Sequence, residues 1–192
     1  RVSNNTNYIP TYQSYNSTHP TLTYVTDDYF GLLDDNEGLF VNDLIDIGIG
    51  RLPVSNIEDA NNLVDKIERY YHKQSFGAWR NDIVFIADDG DASDGNIHMS
   101  QADSLSNIIA NKYNEINISK IYLDNYLQES TPGGPRSSAT QSAINSKINK
   151  GALLVNYTGH GGPLGWTQER VLEVNQINSW ENNYLPLFMT AT

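Results

Sequence analysis

Ile83-Val84-Phe85-Ile86-Ala87 is an unbroken apolar run of strand length, and it stops abruptly at Asp88-Asp89-Gly90-Asp91. A strand with one face in water alternates apolar and polar residues. A strand apolar on both faces suits the middle of a parallel sheet covered by helices on each side. Ala152 to Tyr157 reads as another buried strand and runs into Thr158-Gly159-His160-Gly161-Gly162-Pro163. Ile118 to Leu123 and Leu185 to Thr190 are further strand candidates. Ala102, Leu105 and Ile109 place a helix near 98–113. Ala143, Ile144 and Ile148 place another over 137–149, with Gly151 at its C-terminal end. Thr131-Pro132-Gly133-Gly134-Pro135 reads as a loop, and residues 174–181 as a short helix. Strands alternating with helices from residue 83 onward predict a three-layer α/β fold, a mostly parallel sheet with helices on both faces.

Upstream, residues 1–54 read as short strands and acidic loops, and 55–192 as the α/β domain. Thr21 to Val25 alternates like a strand, and Leu44 to Ile49 reads as a buried strand leading to Gly50-Arg51-Leu52-Pro53. A helix is expected from Ser55, with Ser55 and Glu58 as a capping box and Ile57, Ala60, Val64, Ile67 and Tyr71 as one apolar stripe.

In an open parallel sheet, chemistry gathers at the carboxyl ends of the strands. His160 stands there between two glycines, which let a ligand approach the backbone. An imidazole in that position can serve as general acid or base near neutral pH. A turn whose glycines serve only the bend would read the same way. Asp89 ends another central strand and is the expected orienting partner of His160. Asp88 and Asp91 read equally well as turn or capping residues.

The chain has 192 residues and no cysteine, which removes disulfides and Cys-based metal sites within it. Ser and Thr are plentiful, but none sits in a Gly-x-Ser-x-Gly elbow. The formal net charge of −11 argues against nucleic acid and against anionic membrane surfaces as partners. No apolar run is long enough to span a membrane. Asp27, Asp28, Asp34, Asp35 and Glu37 offer oxygen ligands to a structural calcium ion, although they do not fit an EF-hand loop and a solvated acidic loop has the same composition.

Leu154-Val155-Asn156-Tyr157-Thr158-Gly159-His160-Gly161 closely resembles the histidine motif of the gingipain-type (C25) cysteine peptidases. Leu185-Pro186-Leu187-Phe188-Met189-Thr190-Ala191-Thr192 resembles that family's strand leading to the catalytic Cys, which the resemblance places directly after Thr192. Gly48 to Pro53, followed by the capped helix, resembles that family's entry to this domain. Phe85 to Asp91 with His98-Met99, Asp27 to Gly31 and Asp46 to Arg51 resemble the sortase-like, PorU-type members that serve type IX secretion.

The resemblance implies a caspase-like fold, incomplete at its C-terminal end, and a Cys–His mechanism that needs no cofactor. It implies His160 as base and acid, Asp89 as its orienter and the Gly161 N–H at the oxyanion. It implies Thr158, Gly159 and Ala191 in the primary specificity pocket. His98 and Asp103 lie where gingipains present a carboxylate to an Arg or Lys side chain, and Trp166 could border the cleft. It further implies protein substrates bearing C-terminal sorting domains, other type IX components as partners and a location at the bacterial cell surface. By itself the chain is expected to be inactive. The alternatives are a secreted gingipain-like endopeptidase, a non-catalytic relative that binds the sorting signal, and an acidic calcium-binding surface module.

Overall fold

The computed structural model describes residues 9–13, 18–19, 25–38 and 43–192. The chain divides into two compact units, Arg1–Ile67 and Glu68–Thr192.

In the first unit, β1 (Tyr12–Gln13) and β2 (Val25–Thr26) form a short antiparallel pair. Of the strand expected over Thr21 to Val25, residues 21–24 lie outside the described residues. The strand expected from Leu44 to Ile49 is absent. Residues 43–50 are irregular, and Leu44, Ile45 and Ile47 are exposed. Among the described residues that run pairs with no strand, and apolar sequence without a ladder partner does not make a strand. Helix α1 spans Ile57–Tyr71. Its cap is Asn56, not Ser55: Asn56 Oδ1 accepts from the Asp59 backbone N at 2.9 Å. Ser55 Oγ bonds the Asp59 carboxylate instead.

The second unit carries β3 (Asp82–Ala87), α2 (Ile97–Lys112), β4 (Asn117–Tyr122), β5 (Glu129–Thr131), β6 (Gly134–Arg136), α3 (Ser138–Lys150), β7 (Leu154–Thr158), β8 (Gly161–Gly162), β9 (Gly165–Trp166), α4 (Val174–Asn178) and β10 (Leu187–Ala191). Four of these strands form an all-parallel sheet in the order β10-β7-β3-β4, and β5–β6 and β8–β9 are antiparallel pairs. The expected loop at 131–135 is the turn of the antiparallel β5–β6 hairpin. It is held by the Thr131 hydroxyl donating to the Gly134 carbonyl at 2.7 Å.

Strand β3 shows why its sequence has no polar alternation. Val84 and Ile86 pack with Ile121, Ile144, Ile148, Val155 and Tyr157 on the α3 face. Ile83, Phe85 and Ala87 pack with Ala102 and Tyr122 on the α2 face. Successive side chains point to opposite faces, so a strand between two helical layers must be apolar throughout. Phe85 is fully buried, and truncating it to Ala would cost about 3–5 kcal/mol. Helix α3 is capped by Ser137, whose hydroxyl accepts from the Thr140 N, and it closes on Gly151 at φ +90°. A Cβ at Gly151 would come within 2.7 Å of the Tyr184 Cβ.

The connectivity fixes the place of the site. From β3 the chain crosses by α2 to β4 on one side, then returns by α3 to β7 on the other. The direction of winding therefore reverses between β3 and β7. At such a switch point the loops leaving two adjacent strands part and open a crevice at their carboxyl ends. The loops leaving here are Asp88–Asn96 and Gly159–Gly162.

Candidate active site

His160 is held by its backbone before its side chain makes any contact. The buried Asp88 receives the His160 N–H on Oδ2 at 2.8 Å and the Asp89 N–H on Oδ1 at 3.1 Å. Asp88 in turn donates its own N–H to the Thr158 carbonyl at 3.1 Å. The buried Tyr157 hydroxyl donates to the His160 carbonyl. Burial pushes the Tyr157 phenol far up, so it stays a neutral donor. Burial also raises the Asp88 carboxyl to about 6, against the lowering effect of the His160 N–H bond.

Gly159 is required at its position. A Cβ there would sit 2.5 Å from the Asp88 Cβ and 2.6 Å from the Tyr157 hydroxyl.

The imidazole of His160 is 57% exposed and faces the loop after β3. Its partner is Asp94, with Nε2 2.7 Å from Oδ2. Asp91 Oδ2 stands 3.5 Å from the same nitrogen. The Asp94 hydrogen bond raises the His160 pKa above its ordinary value, with slight desolvation opposing. Asp91 Oδ1 accepts from the Ser93 N–H, the Ser93 hydroxyl and the Asp94 N–H, and this tightens the turn that carries Asp94. Those bonds hold the Asp91 carboxyl down at about 2.

Asp89 does not take the orienting position expected for it. Its carboxylate accepts from Gln128 Nε2 at 2.9 Å, while Asp88 and Asp94 divide the backbone and the ring of His160 between them. Asp94 was missed in the sequence because nothing about a lone Asp in an Asp-Gly-Asn turn marks it. Its i,i+4 spacing to His98 was the available signal.

The positions expected around the primary pocket do come together. Thr158 pairs with Ala191 in the β7–β10 register, and the Gly159 N–H donates to the Ala191 carbonyl at 3.1 Å. Gly161 lies against Thr192, whose Cγ2 would be 3.2 Å from a Cβ placed on Gly161. The end of β10 and the histidine loop thus share one edge. His98 is at the same site, its ring edge-on to His160 at 4.8 Å between centroids.

Asp103 is elsewhere. It receives Lys120 Nζ at 2.5 Å and Asn107 Nδ2 at 2.9 Å, and Lys120 lowers its pKa. Trp166 stacks flat on Tyr157, with centroids 4.1 Å apart. With Trp180, Phe188 and Ile177 it lines an apolar groove of about 500 Å³ that begins at Gly161 and Thr192.

The acidic segment upstream is not arranged as one oxygen cage. Asp27 is paired with Arg51 through two bonds of 2.6 and 2.7 Å. Asp28 opens a separate short turn at Asp28–Gly31. Among the described residues the carboxylate cluster there is Asp34 with Glu37 and Asp46, and Asp35 is not in it.

A family model described as peptidase family C25 matches residues 1–192. The chain belongs to peptidase family C25. That family comprises the gingipain-type cysteine peptidases. No curated protein matches the chain. Two solved structures resemble it in fold. The Arg-specific cysteine proteinase gingipain R (RgpB) superposes with a TM-score of 0.61 at 23% identity, over 85% of this chain and 34% of that one. The complex of the Porphyromonas gingivalis RgpB pro- and mature domains gives 0.62 at 20% identity, over 87% and 36%. The chain therefore spans about a third of the length of these C25 structures. Among the described residues no helix is long and apolar enough to cross a membrane.

Proposed function

We propose that this chain carries the general acid–base half of a cysteine peptidase or transpeptidase that removes C-terminal sorting signals from secreted proteins. The observation that carries the reading is the shared edge. The Gly159 N–H bonds the Ala191 carbonyl and Thr192 lies against Gly161, so a cysteine following Thr192 would lie beside the His160 loop.

In that arrangement His160, oriented by Asp94, takes the thiol proton. The thiolate attacks the scissile carbonyl, and the tetrahedral oxyanion forms near the Gly161 N–H. Collapse breaks the C–N bond, and His160 returns the proton to the leaving amine. A thioester remains. Water resolves it to a carboxylate, or an acceptor amine resolves it to a new amide. The sortase-like reading rests on the PorU-type resemblance of Phe85 to Asp91 with His98-Met99 and of Asp27 to Gly31. Cell-surface placement and type IX partners follow from that resemblance alone.

The alternative is a secreted gingipain-like endopeptidase. Asp103 bears on the choice between them. A carboxylate that anchors a substrate Arg or Lys must be free to do so, whereas Asp103 is engaged by Lys120. The test is to incubate the full-length protein with a secreted substrate bearing a C-terminal sorting domain, with and without an amine acceptor. Release of the domain with acceptor joined to the new carboxyl end is expected. Cleavage after Arg or Lys in unrelated proteins would favour the endopeptidase. Binding without cleavage would mean a non-catalytic relative.

A further inference from the structure

The loop after β3 and the first turn of α2 bring a ligand set containing two imidazoles to the crevice. Asp94, His98 and His160 each present one ligand atom, all within 4.8 Å of one another. His160 Nε2 is 2.7 Å and His98 Nε2 3.6 Å from the same Asp94 oxygen, Oδ2. His98 Nε2 is buried and has no hydrogen-bond partner, since Asp94 lies beyond hydrogen-bond range. An unsatisfied buried ring nitrogen is costly unless something fills it.

We propose that Asp94, His98 and His160 form a binding site for a divalent transition metal of the zinc type. A tetrahedral zinc ion with ligands at 2.0–2.1 Å sets its ligand atoms about 3.3 Å apart. The two separations to Asp94 bracket that value, and the two imidazoles have to close from within 4.8 Å to meet it. Two imidazoles and one carboxylate suit zinc or cobalt. They do not suit calcium, which takes six to eight oxygens. Asp91 Oδ2, 3.5 Å from His160 Nε2, is placed to supply a fourth oxygen or to hold a metal-bound water. The turn geometry that fixes Asp91 and Asp94 also pre-positions both carboxylates.

A bound metal would take His160 Nε2, the nitrogen that Asp94 orients, and its charge would lower the basicity of Nδ1, the nitrogen left to take the thiol proton. Metal occupancy and catalysis would then exclude each other. That consequence rests on the general-base reading of His160, whereas the site itself does not.

The test is therefore a binding measurement. Full-length protein is titrated with cobalt(II), reading the visible d–d band, and the cobalt is displaced with zinc; calorimetry with zinc chloride gives the stoichiometry. One ion per chain is expected. H98A and D94N should each weaken binding about tenfold or more, while D103N leaves it unchanged. Circular dichroism of each variant confirms that the fold is kept, and H98N serves should H98A unfold. Absence of stoichiometric binding, or affinity indifferent to both H98A and D94N, would overturn the site. If binding holds while H160A leaves peptidase activity intact, the metal site survives and the general-base reading fails.

Discussion

The first turn of α2 and its middle carry the two residues, His98 and Asp103, that gingipain resemblance places near the substrate, and they meet different fates. His98 faces the His160 ring at 4.8 Å. Asp103 faces β4, where it binds Lys120 and approaches the Tyr122 hydroxyl. Five residues along an α-helix turn a side chain by about 140° and move it about 7.5 Å. Only one of the two can therefore address a crevice at the end of the sheet. What decides is the helical phase set by Ala102, which is buried against Phe85 and Ala87 on the sheet. The difference teaches that nearness in sequence to a motif says little about nearness to the site once a helix intervenes.

The largest expected effect lies on the site side. In the full-length protein, H160A should lower acyl transfer by about a thousandfold or more while leaving the melting temperature near wild type. Next comes D94N, expected to cost about a hundredfold, with the His160 titration followed by NMR moving down toward the ordinary imidazole range. D89N should stay within about twofold; a larger loss for D89N than for D94N would return the orienting role to Asp89.

Gly159→Ala tests the close packing beneath the histidine. Denaturant melts should show a loss of about 1–3 kcal/mol, because the added Cβ meets Asp88 and Tyr157.

Asp88 gives a pH signature. Its pKa is raised from 3.8 to about 6, so the folded state holds a proton that the unfolded chain has already released. Stability contributed by this group is complete below about pH 4 and is lost as pH rises through about 6. The raised His160 pKa acts in the same direction, above the ordinary imidazole value of 6.5. D88N should therefore flatten the melting-temperature profile between pH 4 and 6, and an unchanged slope there would refute the assignment.

The smallest effect belongs to the middle of α2. D103N should change activity by less than about twofold, since the pair with Lys120 is a solvent-facing one. A strong, Arg-selective loss would break the comparison and restore Asp103 to the substrate.

Much of the architecture was legible because buried parallel strands leave an unmistakable mark. Ile83–Ala87 and Ala152–Tyr157 have no polar alternation, and both became central strands. The same reasoning failed at Leu44 to Ile49, an apolar stretch broken by Asp46 and Gly48 that pairs with no strand among the described residues. Periodicity reports what a segment could bury, and not whether a partner exists. The histidine loop was legible from its glycines, and Gly159 is explained by contact with Asp88 and Tyr157. The partner of the imidazole was not legible. It depends on an Asp91-centred turn that aims Asp94 at the ring, a geometry made from three hydrogen bonds within four residues. In sequence Asp88 reads as a turn or capping residue. Its burial and its grip on the His160 backbone emerge only when β3 and β7 lie side by side.

In the proposed mechanism the end of β10 delivers a nucleophile to the His160 loop. This delivery is tested most directly by labelling the full-length protein with a thiol-reactive peptidyl electrophile and mapping the modified residue by mass spectrometry. A single modified cysteine directly after Thr192 is expected, with labelling suppressed in H160A. Modification elsewhere, or a residue after Thr192 that cannot act as a nucleophile, would contradict it.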